Sequence, residues 1–221
     1  YYTEKNYSNT ALTAASYKGK LYGYPISFNV AFLLYNADVA SEVSNFKELE
    51  DYCNNYIVDD KNQDITNLVL WNPSDMFINY AFSCNSINLG GTSGDDSSQL
   101  SVNKELLSKG MENFLKQKDI FGIERNAYTI EEIMKQFADG KVAYTITDAN
   151  HLKTVTDSSI NYGICDVPDF DGGLGTVSVS ENITEASFPP RKTLRTGTQT
   201  KNSGARRAPF SKTRSTRLFS N

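Results

Sequence analysis

Between Tyr24-Pro25 and Asn36 the chain reads Ile-Ser-Phe-Asn-Val-Ala-Phe-Leu-Leu-Tyr-Asn. The run is apolar in both alternating registers, apart from Ser27 and Asn29. Such a run, rich in aromatic and β-branched residues, is expected of a strand buried on both faces. Pro25 fixes its own φ and pushes Tyr24 toward extended geometry, which excludes a continuous helix. Residues 19–36 therefore read as two extended segments joined at Tyr24-Pro25. Asn29 breaks the pattern, and a polar amide in such a strand must find hydrogen-bond partners or face a cleft.

Elsewhere the apolar period lengthens to that of a helix. Asn45 opens one, with Glu48 completing a capping box and Phe46, Leu49, Tyr52 and Cys53 on one face. Residues 103–118 form another, with Leu107, Met111, Phe114 and Leu115 as its expected stripe. Thr129 and Glu132 cap a third, with Ile130, Ile133, Met134 and Phe137 as its buried stripe and Gly140 at its C-terminus. After the turn Asn72-Pro73-Ser74, Asp75 precedes a helix expected over 76–84, whose first turn would direct free N–H groups outward. Residues 68–71, 142–146 and 160–165 read as strands, and 90–98 as a surface loop. Alternating helices and short buried strands imply an α/β layer with ligands at strand ends. Residues 1–16 carry little pattern, and the pattern stops after about Glu181.

Composition adds two constraints. No apolar run in the 221 residues approaches the ~20 needed to span a bilayer. Three dispersed cysteines, Cys53, Cys84 and Cys165, are not a disulfide framework or a zinc motif, and each is expected to pack as a small hydrophobe. Charge is partitioned. Residues 1–190 hold 13 basic and 26 acidic side chains, whereas 191–221 hold nine basic and no acidic ones. The acidic body disfavours nucleic acid and anionic membranes as partners. The Arg-, Ser- and Thr-rich tail cannot bury enough surface to offset its ordering entropy, so 183–221 are expected to be disordered. The abrupt change in arginine usage suggests a frame-shifted reading of the gene there. Translation of the other two frames tests this, and fails it if neither continues the pattern.

The segment Gly19-Lys20-Leu21-Tyr22-Gly23-Tyr24-Pro25, followed by the apolar run and Tyr35-Asn36-Ala37-Asp38, resembles the sugar-binding proteins of ABC importers, the maltose-binding-protein family of extracellular solute receptors. A second match covers Phe137-Ala138-Asp139-Gly140-Lys141, the strand Ala143-Tyr144-Thr145-Ile146, then Tyr162-Gly163 and Pro168. The resemblance spans roughly 15 to 180. It implies an α/β fold of the periplasmic-binding-protein type II kind, with one near-complete lobe, hinge strands and a disordered C-terminal tail. Residues 1–35 would be a remnant of lobe one and a hinge strand, 36–166 lobe two, and 167–182 the returning hinge strand. The chain starts on Tyr1 without Met or signal peptide, and family members carry more residues ahead of this motif. A processed or partial product is therefore expected, with exposed hinge surface, a tendency to self-associate and weak ligand affinity.

The resemblance also implies a function: an extracytoplasmic receptor, periplasmic or lipid-anchored, that closes over a mono- or oligosaccharide and docks on ABC permease subunits. No enzymatic step, cofactor or metal is implied. Sugar recognition calls for amides and carboxylates to bond hydroxyls and aromatic faces to cover the ring, all in a cleft. Asn29, Asp75, Asp148 and Asn150 are the polar candidates, and Phe77 and Tyr80 the aromatic ones. By the resemblance Asn29 takes the cleft position after Tyr24-Pro25. Asp75 and Met76 stand where relatives place an acid and a tyrosine at a helix start, and Asn150 stands near a stacking tryptophan. Two alternatives remain open: a glycan-handling enzyme or accessory domain using Asp75 with Asp148, and a nucleic-acid binder acting through the basic tail. His151, the sole histidine, reads as a surface residue. Gly172-Gly173-Leu174-Gly175 lacks the lysine and helix of a phosphate loop, and Asp166, Asp169 and Asp171 read as a turn.

Overall fold

The computed structural model describes residues 7–60, 62–90, 96–170, 173–177, 179–186 and 213–218. The chain divides into two compact units, Tyr1–Phe28 with Glu181–Thr216, and Asn29–Ser180 with Arg217–Asn221. The first opens with helix α1 (Asn9–Ala14), capped by the Ser8 hydroxyl, which accepts the Ala11 N–H at 3.2 Å. Strands β1 (Ser16–Tyr17) and β2 (Lys20–Leu21) pair antiparallel across Lys18-Gly19. Both loop residues have positive φ, 48° and 72°, as the mirror-image turn that matches strand twist requires. Gly19 meets that demand without strain. The Gly-Lys of the sequence motif is thus hairpin chemistry. Strand β3 (Gly23–Asn36) then runs unbroken through Tyr24-Pro25. The expected joint lies earlier, at the hairpin, because the φ of proline suits extended backbone near a strand start.

The second unit contains α2 (Phe46–Asn54), β4 (Asn67–Val69), α3 (Met76–Asn79) running into a 3-10 turn (Tyr80–Ser83), and the β5 (Ile87–Leu89)–β6 (Leu100–Val102) ribbon. Next come α4 (Lys104–Ile120), α5 (Ile130–Ala138), β7 (Val142–Asp148), a 3-10 turn (Ala149–His151), α6 (Lys153–Thr156) and β8 (Tyr162–Cys165). Beyond them, β9 (Val179–Ala186) lies beside β3, and β10 (Thr213–Leu218) beside β9. The rest of the stretch expected to be disordered lies outside the described residues, as do Asp171 and Gly172.

In the second unit β7 runs antiparallel to β3, with Ala31 opposite Asp148 and Leu33 opposite Ile146. β4 runs parallel to β7, and β8 antiparallel to β3. Every residue of β7 is buried, so the sheet is covered on both faces at its centre. Phe46 stacks on Phe170 at 4.9 Å, and Phe82 lies 5.1 Å from Phe114 and 6.0 Å from Trp71. Tyr144 is held by Ser41, donating its hydroxyl to the Ser41 carbonyl at 2.7 Å.

The capping pattern at 129–132 closes reciprocally, as Thr129 Oγ1 accepts the Glu132 N–H and the Glu132 carboxylate accepts the Thr129 N–H. At Asn45 the pattern shifts, with Glu48 reaching back to the Ser44 N–H at 2.7 Å. Two expectations change. The helix expected over 76–84 tightens after Asn79, and it ends at Cys84 and Asn85, both at positive φ. The Ala81 carbonyl, which a longer helix would use internally, instead accepts the Val177 N–H at 2.8 Å. Helix α4 buries Gly110 and Gln117 with Leu106 and Phe114 against the core, while Met111 and Leu115 are 37% and 52% exposed. Gly110 sets that rotation, because only a residue without Cβ fits against the Phe82 carbonyl and Cys84 Sγ. Among the described residues no helix is long and apolar enough to cross a membrane.

Candidate functional site

Strands β4 and β7 are parallel, so their carboxyl ends open onto one edge of the sheet. β3, antiparallel to β7, brings its residues around Asn29–Ala31 to the same edge. Three segments carrying candidate residues therefore meet at one end: the start of the buried part of β3, the turn and α3 after β4, and the 3-10 turn after β7. Ligands of open α/β sheets bind at this end.

The β3–β7 group is joined by hydrogen bonds. Asn29 and Asp148 are 5% and 4% exposed. Asp148 Oδ1 accepts the Asn150 N–H at 2.9 Å, and Asn29 Oδ1 accepts the same N–H at 3.3 Å. Asp148 Oδ1 also bonds Nδ1 of His151 at 2.8 Å. Asp148 thereby caps the 3-10 turn that carries Asn150 and His151. Each buried side chain spends one polar atom on this scaffold. For Asn29 Nδ2 and Asp148 Oδ2 the described residues supply no partner. A donor and an acceptor thus remain for something else, and neither atom is among the fully buried, unpartnered ones of the described residues, so both can be reached from solvent. The Asn150 side chain is exposed.

The second group sits on α3. Asp75 Oδ1 accepts the N–H groups of Phe77 and Ile78 at 2.9 and 3.1 Å. The first-turn donors expected to face outward are therefore occupied by the cap itself. Met76 is 87% exposed, whereas Phe77 packs against the core. The Tyr80 hydroxyl is buried, and burial makes it harder to ionise than a free phenol. The nearby Ser83 hydroxyl offsets this in part without reaching hydrogen-bond geometry. Among the described residues no hydrogen bond links this group to Asn29, Asp148 or Asn150.

His151 is the residue that sequence reasoning missed. It is no bare surface histidine: its side chain is 27% exposed and its ring is bonded to buried Asp148. The Asp-x-x-His spacing on a turn was the available signal. A cavity of about 400 Å³ was also not foreseen. It opens beside Ala31 and the end of β8, with Glu42, Ser44, Asn85, Asp166 and Thr176 in its wall. Nearby, Asp169 Oδ1 accepts the Thr176 N–H at 2.7 Å and so serves the turn. No cluster of three metal-ligating side chains occurs among the described residues.

The sheet thus carries a polar cluster, Asn29 with Asp148, at its carboxyl edge. Residues 1–189 match the model of the bacterial extracellular solute-binding protein family, and the chain belongs to that family. No curated protein matches it. Among solved structures it is similar to a cyclo/maltodextrin-binding protein complexed with maltotetraose, with TM-score 0.61 and 21% identity over 79% of this chain and 45% of that one. It is also similar to the extracellular solute-binding protein from Staphylococcus aureus in complex with maltose, with TM-score 0.60 and 22% identity over 80% and 47%. The fold is therefore of the maltose-binding type, and this chain spans about half the length of those proteins.

Proposed function

We propose that the chain is part of an extracytoplasmic receptor that binds a mono- or oligosaccharide for an ABC importer. One observation carries the reading. Two almost fully buried polar side chains, Asn29 and Asp148, converge on one N–H at the carboxyl edge of the sheet, each with its second polar atom unengaged among the described residues. An amide donor beside a carboxylate acceptor suits a sugar hydroxyl, which both donates and accepts. The maltose and maltotetraose held by the structural neighbours make carbohydrate the first class to test.

In this reading Asn150 and the α3 residues Asp75, Met76, Phe77 and Tyr80 flank the ligand, with Met76 the most exposed. Residues 36–166 form the second lobe, reached through 1–35 and 167–182. Ligand contacts made only in the closed form drive closure, and the closed form docks on the permease at the membrane, whether the receptor is free or lipid-anchored. No covalent step is required. Calorimetry with a panel of oligosaccharides tests the reading, with heat expected from at least one of them. Binding of peptide or metal, with no response to any sugar, overturns it.

A further inference from the structure

Asp148 holds more than a turn. Its Oδ1 lies 2.8 Å from His151 Nδ1 and accepts the Asn150 N–H at 2.9 Å, in a carboxylate only 6% exposed. An ionised carboxylate only accepts, so the imidazole nitrogen facing it must carry the proton. In a neutral ring the other nitrogen is then an acceptor, and which nitrogen is protonated is decided by the bond the other makes. For Nε2 the described residues supply no partner, and the ring is partly exposed. His151 directly follows Asn150, whose N–H joins Asn29 and Asp148.

We infer that Asp148 fixes His151 as the Nδ1–H tautomer, so that Nε2 stands at the β3–β7 site as an acceptor for a ligand hydroxyl. Asp148 is then a positioning residue and His151 a contact that selects ligands bearing a donor group. This rests on the sugar-binding reading. It deepens that reading by adding a second acceptor beside the Asn29 donor and the Asp148 carboxylate, a set that matches neighbouring hydroxyls on a ring. A histidine held only for packing would need neither a fixed tautomer nor an open Nε2.

His151 is the only histidine in the chain, so one imidazole signal reports on it. Long-range ¹H–¹⁵N spectra of the intact 221-residue chain read the tautomer directly. Maltose, maltotetraose and cellobiose are the probes, added to millimolar levels so that weak binding registers, with calorimetry alongside. The expected result is a dominant Nδ1–H form and a change at Nε2 when a sugar binds. His151→Asn keeps a donor for Asp148 but lacks the Nε2 acceptor. It is expected to lose roughly 3- to 10-fold in affinity while staying folded. Asp148→Ala should release the tautomer toward the Nε2–H form that dominates in water. An Nε2–H or freely mixed tautomer in the unaltered chain overturns the proposal without touching the sugar reading. So does a sugar that binds without moving Nε2. A fixed Nδ1–H form with no response to any sugar refutes the sugar reading instead, and the contact role of His151 with it.

Discussion

Replacing Gly110 by alanine should loosen the packing that backs the candidate site. Gly110 lies in the middle of α4, where a β-carbon would stand 2.5 Å from the Phe82 carbonyl oxygen and 3.0 Å from Cys84 Sγ. The first neighbour is backbone of the 3-10 turn Tyr80–Ser83 and cannot swing aside as a side chain would. Two effects oppose each other. Alanine is the better helix former by about 0.5–1 kcal/mol. Overpacking a close contact costs about 1–3 kcal/mol. The clash should win, leaving the variant about 1–2 kcal/mol less stable, which for a domain of this size lowers Tm by about 2–8 °C. Urea and thermal unfolding measure this, with Ser108→Ala on the exposed side of α4 as the control, expected to be neutral or slightly stabilising. A Gly110→Ala protein as stable as the parent, or more so, would refute the reasoning. It would mean that α4 stands off the turn and that the rotation of its buried face has another cause.

Asp75→Ala should cost about 0.5–2 kcal/mol through loss of the cap on Phe77 and Ile78, and Asp75→Asn should cost far less. Equal stability of the alanine variant and the parent would free the Asp75 carboxylate from its structural role. Stability should also fall at alkaline pH. Burial, and then Glu50, push the Cys53 thiol up to about 11, and burial, then Asp169, do the same for Cys84. The folded state thus holds these protons more tightly than the unfolded state does. Their contribution is complete below about pH 9 and is lost as the pH rises toward about 11. The urea midpoint should therefore drop between pH 8 and 10.5, and drop less in a Cys53→Ala, Cys84→Ala double variant. An identical drop in both proteins would assign the effect to other groups.

The sequence made the sheet and the capped helices legible because their signals are local. A continuous apolar run marks β3, short runs of strand-forming residues mark the strands after it, and Thr129 with Glu132 marks the start of α5 within three residues. What stayed hidden depends on contacts far apart in the chain. The face of α4 follows from one close approach, Gly110 on Phe82, which outweighs the stripe of Leu107, Met111 and Leu115. The end of the α3 turn depends on Val177, nearly a hundred residues downstream, taking the Ala81 carbonyl. For the site, a polar amide within an apolar strand identified Asn29 as unusual. The role of His151 could not be seen, because a single histidine in a polar stretch looks solvated until its carboxylate partner is known to be buried. The cavity near Glu42 and Asp166 is lined by stretches far apart in the chain, from Ala31 to Val177, which no local signal brings together.

The most direct test of the account compares sugar binding by the parent chain and by Asn29→Ala. Asn29 is buried, and the described residues leave one half of its amide unused, so its truncation should remove a ligand bond while altering a single scaffold contact. The account predicts that at least one oligosaccharide binds the parent and that Asn29→Ala weakens it about 10-fold with Tm lowered by only a few degrees. Equal affinity of the two proteins for that sugar, or binding of no sugar by a folded parent chain, would contradict it.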